Sequence, residues 1–277
     1  MIYLKFVLSI ILLCGSLYSQ INVSLLEVIT LPENIVNNEF QPTNFSVSRT
    51  GFYFLDSVNR QVAFLSNDGG IEFAGGYGIG NDAFIDPIEI LSSNLRVWIV
   101  DRTENKLIEF DHKLNYLRTV EFNQIYPEFG GIDDWGNILL KSEHEHMILQ
   151  ANPPFENFNE FIDLSRWNDV NNCISDVHIA SEGSIGILSN CNNTVHLFNR
   201  LGKLENKFVR ENTEGSFLIK LIDEWFVIGS KGQIASIRNN EKVALPTGQT
   251  ILDVAQMDKK LYLLLSDKLW VVDVSME

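Results

Sequence analysis

Residues 73–111 read FAGGYGIGNDAFIDPIEILSSNLRVWIVDRTENKLIEFD, and their reading decides the fold. Gly75, Gly76, Gly78 and Gly80 fall within six positions. Phe84 and Pro87 follow, then an apolar run that ends in Asp101, a polar turn, and a second apolar run. A glycine cluster of this density can cradle a phosphate, close a tight turn or mark the seam of a repeat. A phosphate loop needs a helix N-terminus behind it and a Gly-Lys-Ser or Gly-Lys-Thr signature. Here strand-type sequence follows, and neither tripeptide occurs in the chain. The glycines are therefore read as a connection between repeated units, where the backbone turns sharply and approaches its neighbour closely.

The same grammar recurs along the chain: an apolar strand, a short turn, a second apolar strand, a polar turn, and a third strand. The second strands end at Leu55, Val100, Leu140, Leu188, Ile228 and Leu265, at intervals of 45, 40, 48, 40 and 37 residues. That period matches a four-stranded propeller blade. Third and fourth strands are joined by turns rich in Asn, Asp and Gly, which tolerate positive φ: SNDGG at 66–70, DHKLN at 111–115, NRLGK at 199–203 and RNNEK at 238–242. The last unit supplies three strands, over 251–255, 261–265 and 269–274. The unpartnered strand at 23–31 is then expected to close the ring as the outer strand of that last blade. The fold expected is all-β, a six-bladed β-propeller of four-stranded antiparallel blades.

The 73–111 unit resembles an NHL repeat at Gly75, Gly76, Gly78, Gly80, Phe84, Pro87, Val100, Asp101, Asn105 and Phe110. The preceding unit repeats the spacing with Asp56, Asn59 and Arg60, whereas the third, fifth and sixth keep only the strand rhythm. The resemblance implies a propeller. Relatives of that fold include protein-binding scaffolds, lyases and lactonases, so fold alone assigns no activity.

Composition narrows the partners. The chain has 277 residues, is 45% hydrophobic, and carries a formal charge of −15, which repels nucleic-acid backbones and anionic membranes. No nucleic-acid partner is expected. Lys5 followed by the apolar stretch 6–13 and the small residues Gly15, Ser16 and Ser19 has the layout of a secretory signal. The expected organisation is a signal peptide over 1–19 and one propeller domain over 20–277. The mature chain, without a transmembrane segment, would be secreted or periplasmic. Cys173 and Cys191 lie symmetrically about Glu182 and flank a hairpin, so in an oxidising compartment they are expected to bond.

Counting back 11 or 12 residues from the second-strand ends lands on Asn44, Glu89, Glu128, Asp176, Ser216 and Asp253. These would ring the channel mouth, where the carboxylates could hold a divalent cation such as calcium or simply be solvated. His144 and His146 in SEHEHM, with Glu143 or Glu145, could hold zinc, a solvated turn being the plainer reading. The irregular segment 151–172 carries Phe155, Phe158, Phe161 and Trp167 behind Pro153 and Pro154. It is either a binding loop or a plug between blades. There is no G-x-S-x-G elbow and no H-E-x-x-H helix. The expectation is a non-catalytic module that binds protein, peptide or glycan. The alternative is a metal-dependent lactonase- or lyase-like propeller enzyme.

Overall fold

The computed structural model describes residues 20–33, 35, 39–78, 80–167, 170, 173–210, 215–238, 241–245 and 247–276. The signal segment expected over 1–19 lies outside them. β1 (Ile21–Thr30) comes first, followed by six runs of strands. Blade one is β2 (Asn44–Ser48), β3 (Gly51–Asp56), β4 (Gln61–Ser66) and β5 (Ile71–Gly75). Blade two is β6 (Pro87–Ser93), β7 (Arg96–Asp101), β8 (Lys106–Asp111) and β9 (Tyr116–Glu121). Blade three is β10 (Pro127–Ile132), β11 (Ile138–Ser142), β12 (Met147–Ala151) and β13 (Asn159–Asp163). Blade four is β14 (Ile174–Ile179), β15 (Ile185–Ser189), β16 (Thr194–Phe198) and β17 (Leu204–Val209). Blade five is β18 (Phe217–Leu221), β19 (Glu224–Gly229), β20 (Gln233–Ser236) and β21 (Lys242–Ala244). Blade six has β22 (Asp253–Met257), β23 (Lys260–Leu264) and β24 (Lys268–Met276).

Each blade is a four-stranded antiparallel sheet, and blade six is completed by β1 in the order β1-β24-β23-β22. Ile21 pairs with Met276 and Thr30 with Lys268, so the ring closes as expected from the sequence. The inner strands β2, β6, β10, β14, β18 and β22 adjoin one another in a closed circle. Second strands are buried on both faces and read as nearly continuous apolar runs. Outer strands such as β9 and β17 are largely exposed.

The core consists of six apolar clusters, one at each seam between adjacent blades. Phe54, Leu264 and Val271 join blade six to blade one, and Phe64, Ile90 and Ile99 join one to two. Trp98, Leu140 and Phe155 fill the seam from two to three, and Leu139, Ile187 and Phe198 that from three to four. Leu188, Leu218 and Val227 link four to five, and Phe226, Leu261 and Val272 link five to six. Burying one such side chain stabilises by about 1.5–3 kcal/mol, so every blade depends on both neighbours.

The opening glycines take the expected place. Gly75 has φ +86°, and a Cβ there would stand 2.2 Å from the Phe84 ring. The chain leaves β5, turns, and brings Phe84 back beneath itself, with Phe84 N–H donating to the Gly76 carbonyl at 2.9 Å. Asp101, fully buried, then anchors the entry to blade two. Its carboxylate accepts from the N–H groups of Ile85 (2.7 Å), Asp86 (3.1 Å) and Glu104 (3.0 Å). Asp56 does the same in blade one for Gln41 (2.7 Å) and Asn59 (2.8 Å). Asn105 accepts from Tyr126 N–H at 2.7 Å and ties the next connection down. The residues that carry the repeat resemblance are thus the hydrogen-bonding hubs of the links between blades.

Cys173 and Cys191 form a disulfide, with Cα atoms 5.6 Å apart. The aromatics of segment 151–167 pack into the seams between blades. Phe155 is buried edge-on to Trp98, Phe158 packs on Phe122, and Trp167 on Phe198, while Phe161 joins the cluster between blades three and four.

Candidate functional site

The six inner strands enclose a channel cavity of about 980 Å³. The first residue of each to line it is Phe45, Glu89, Gly130, Asp176, Phe217 or Asp253, and these form the floor. The walls rise to the hairpins between first and second strands, among them Arg49–Thr50, Asn94–Leu95, Ser181–Glu182, Ile222 and Asp258–Lys259, which form the mouth. At about 3.3 Å per strand residue, five residues from Glu89 to Asn94 make the cavity about 16 Å deep.

Register explains which expected ring positions meet. Leu55 pairs with Asn44, Val100 with Glu89, Leu140 with Gly130, Leu188 with Asp176, Ile228 with Phe217 and Leu264 with Asp253. Four of the six expected positions are therefore in register. Glu128 and Ser216 are not, because Gly130 and Phe217 occupy the layer in their blades. Glu128 bonds Lys141 instead, and Asn44 does not line the cavity. Three carboxyls remain on the floor, from the alternate blades two, four and six. They lie at the end of the cavity away from the hairpins between first and second strands.

Each carboxyl has a distinct setting. Asp176 accepts from Val177 N–H at 2.9 Å and, across the seam to blade five, from Leu218 N–H at 2.6 Å. Asp253 accepts from Val254 N–H at 2.8 Å and, across the seam to blade one, from Phe45 N–H at 2.9 Å. Among the described residues, Glu89 accepts only from Ile90 N–H, at 3.3 Å. Its neighbour in blade three is Gly130, where a Cβ would come 3.4 Å from the Glu89 Cγ, so the glycine leaves the glutamate room.

The three side chains are partly open to the channel yet surrounded by protein. Desolvation raises the Asp176 carboxyl to about 7. Burial, with the Asp176 charge adding to it, raises Asp253 to about 7 as well. Glu89 is raised well above its ordinary value, first by burial and then by repulsion from Asp253 and Asp176. Among the described residues no group of three or more His, Cys, Asp and Glu side chains is placed to hold a metal ion. Of the residues expected to hold calcium, Glu89, Asp176 and Asp253 share one layer of the cavity, whereas Asn44 and Glu128 are not among its lining residues. His144 packs on Tyr126 in the turn between β11 and β12.

His178, at a strand position, is a cavity residue that the sequence analysis did not single out. It lines the cavity two positions beyond Asp176, stands edge-on to Trp225, and is held neutral by burial, its pKa lowered to about 4. The i, i+2 spacing from Asp176 within one strand is the signal that could have found it.

No family model matches the chain, and no curated protein matches it by sequence. The NHL resemblance therefore rests on the residues of the first two blades. Solved structures match closely in fold. Virginiamycin B lyase from Staphylococcus aureus superposes with a TM-score of 0.63 at 11% identity, over 92% of this chain and 99% of that one. A putative gluconolactonase gives 0.57 at 10% identity, over 95% and 94%. The extracellular domain of a putative one-component system from B. thetaiotaomicron gives 0.56 at 9% identity, over 89% of this chain and 42% of that one. At such identities the likeness shows the six-bladed fold. It also overturns the expectation of a non-catalytic binding module, since a lyase and a putative gluconolactonase are among the propellers built this way.

Proposed function

We propose that the chain is a lyase- or lactonase-like propeller enzyme that opens a cyclic ester at the floor of its channel by carboxyl acid–base chemistry. The observation that supports this most is the trio Glu89, Asp176 and Asp253, all three carboxyls raised by burial and gathered in one layer at the far end of a cavity of about 980 Å³. Breaking an ester C–O bond needs one group to take a proton and another to give one to the departing oxygen. Three neighbouring carboxyls that repel one another cannot all ionise at neutral pH, so the floor holds both forms at once. Glu89, with one long hydrogen bond and the strongest repulsion, keeps its proton and serves as the acid. Asp176 and Asp253, each steadied by two backbone N–H groups, ionise first and serve as the base. The proton would come from water in a hydrolase, or from carbon next to the ester linkage in a lyase.

Export fits the same reading. It is supported by the signal-like 1–19 segment, the Cys173–Cys191 disulfide and the extracellular domain among the fold neighbours.

The test is a panel of lactones and cyclic depsipeptides followed by mass spectrometry. Hydrolysis adds one water to the product and elimination adds none. Wild-type protein should open at least one ring type, and E89Q should lose about 100-fold or more in kcat. No ring opening across the panel, or E89Q turning over at the wild-type rate, would overturn the proposal.

A further inference from the structure

The cavity mouth carries two apolar side chains where turn geometry favours glycine. Ser93 pairs with Arg96 and Leu221 with Glu224, so Asn94–Leu95 and Ile222–Asp223 are two-residue hairpin turns. Asn94 and Leu95 have φ +48° and +63°, which makes Leu95 the second residue of a turn with positive φ at both positions. Ile222, at φ +58°, is the first residue of its turn. Glycine is the usual occupant of both places, and a β-branched residue at positive φ is an outlier. Both side chains nonetheless line the cavity and stand in water, Leu95 62% and Ile222 54% exposed. Each position is thus unfavourable twice over, in backbone conformation and in apolar exposure. Contact with an apolar ligand group relieves the second penalty. Blades two and five lie opposite each other in the ring of six, so the two residues face the mouth from opposite sides.

We propose that Leu95 and Ile222 are specificity-determining lips that select substrates bearing an aliphatic or aromatic group about 16 Å from the bond opened at the floor. This inference rests on the reading of the cavity as the active site, and it adds the substrate class: an amphipathic cyclic ester, polar at the ring and apolar at the far end. The walls between suit such a molecule, with Ser46 and Ser92 hydroxyls 2.8 Å apart midway and Leu91 beside them.

The probe is the neutral fluorophore N-phenyl-1-naphthylamine, titrated into wild-type protein, the double variant L95G/I222G, and E89Q. Glycine suits both turns, so the double variant should melt no lower than wild type. Saturable binding to wild type and to E89Q, weakened about tenfold or more in L95G/I222G, is the expected result. Equal binding by L95G/I222G, or no binding by wild type, would overturn the lips. A second measurement separates this from the chemistry. For lactones with side chains of two to ten carbons, kcat/KM should rise with length in wild type and stay flat in L95G/I222G. Length-independent turnover that still needs Glu89 would sink the lips and leave the carboxyl reading standing. Lip-dependent binding without turnover would do the reverse.

Discussion

Asp101 and Glu89 sit in adjacent strands of one blade and are both carboxylates removed from bulk water, yet their surroundings differ in kind. Asp101 receives two backbone N–H groups from the segment that links two blades and a third, from Glu104, in the turn that follows its own strand. Glu89 receives one, at 3.3 Å, and faces two other carboxyls across the channel. A buried carboxylate with its lone pairs filled is a structural rivet. One left nearly bare and surrounded by like charge has its affinity for a proton raised and has chemistry available to it.

The contrast can be broken by mutation. Asp101→Ala leaves the N–H groups of Ile85, Asp86 and Glu104 without their acceptor and should cost about 4 kcal/mol in chemical denaturation. A loss below about 1 kcal/mol would show that water substitutes for the rivet. Next in size, Cys173→Ser opens the loop closed by cysteines 18 residues apart and should cost about 3 kcal/mol under oxidising conditions, read the same way.

A third expectation concerns pH. The Asp176 and Asp253 carboxyls titrate higher in the folded chain, about 7, than in the unfolded one. The folded state therefore binds more protons between about pH 4 and 7, and stability should fall as pH rises through that window. D176N/D253N should flatten the fall, gaining about 1–2 kcal/mol over wild type at pH 8 relative to pH 5, the channel's water screening the rest. An unchanged slope would mean that the floor carboxyls do not hold raised pKa values. The smallest effect belongs to Glu128, which bonds Lys141 outside the cavity. E128Q should leave ring-opening kcat within about twofold of wild type, and a loss as large as that of E89Q would dissolve the distinction between floor and surroundings.

Most of the architecture was legible because propeller strands announce themselves through short apolar runs at a steady interval, and because β1 had no partner until the last blade offered an edge. The floor was half legible. A count of 11 residues reaches Asn44 and Glu89, and 12 reaches Asp176, but blade three needs 10. The hairpins after β10 and β14 are longer than the two-residue turns of the other blades, and the number of paired residues before each turn changes with them. A fixed offset therefore slid from Gly130 to Glu128. The lips at Leu95 and Ile222 were invisible, since only backbone angles mark them as misplaced glycine positions. The function expectation erred in the other direction. It leaned on the absence of local catalytic signatures, while the carboxyls that meet at the floor are 87 and 77 positions apart along the chain.

The pairing of Ile21 with Met276 also sets a timetable. Translation makes β1 before the strands of all six blades and β24 after the rest of them, so the circle has no clasp until β24 has emerged. Asp253 belongs to the last blade, and it grips Phe45 of the first across that final joint. An unfinished polypeptide holds Glu89 and Asp176 without their third companion and without a closed wall around them. The trio and the wall around it are completed only by the strand pairing that shuts the ring.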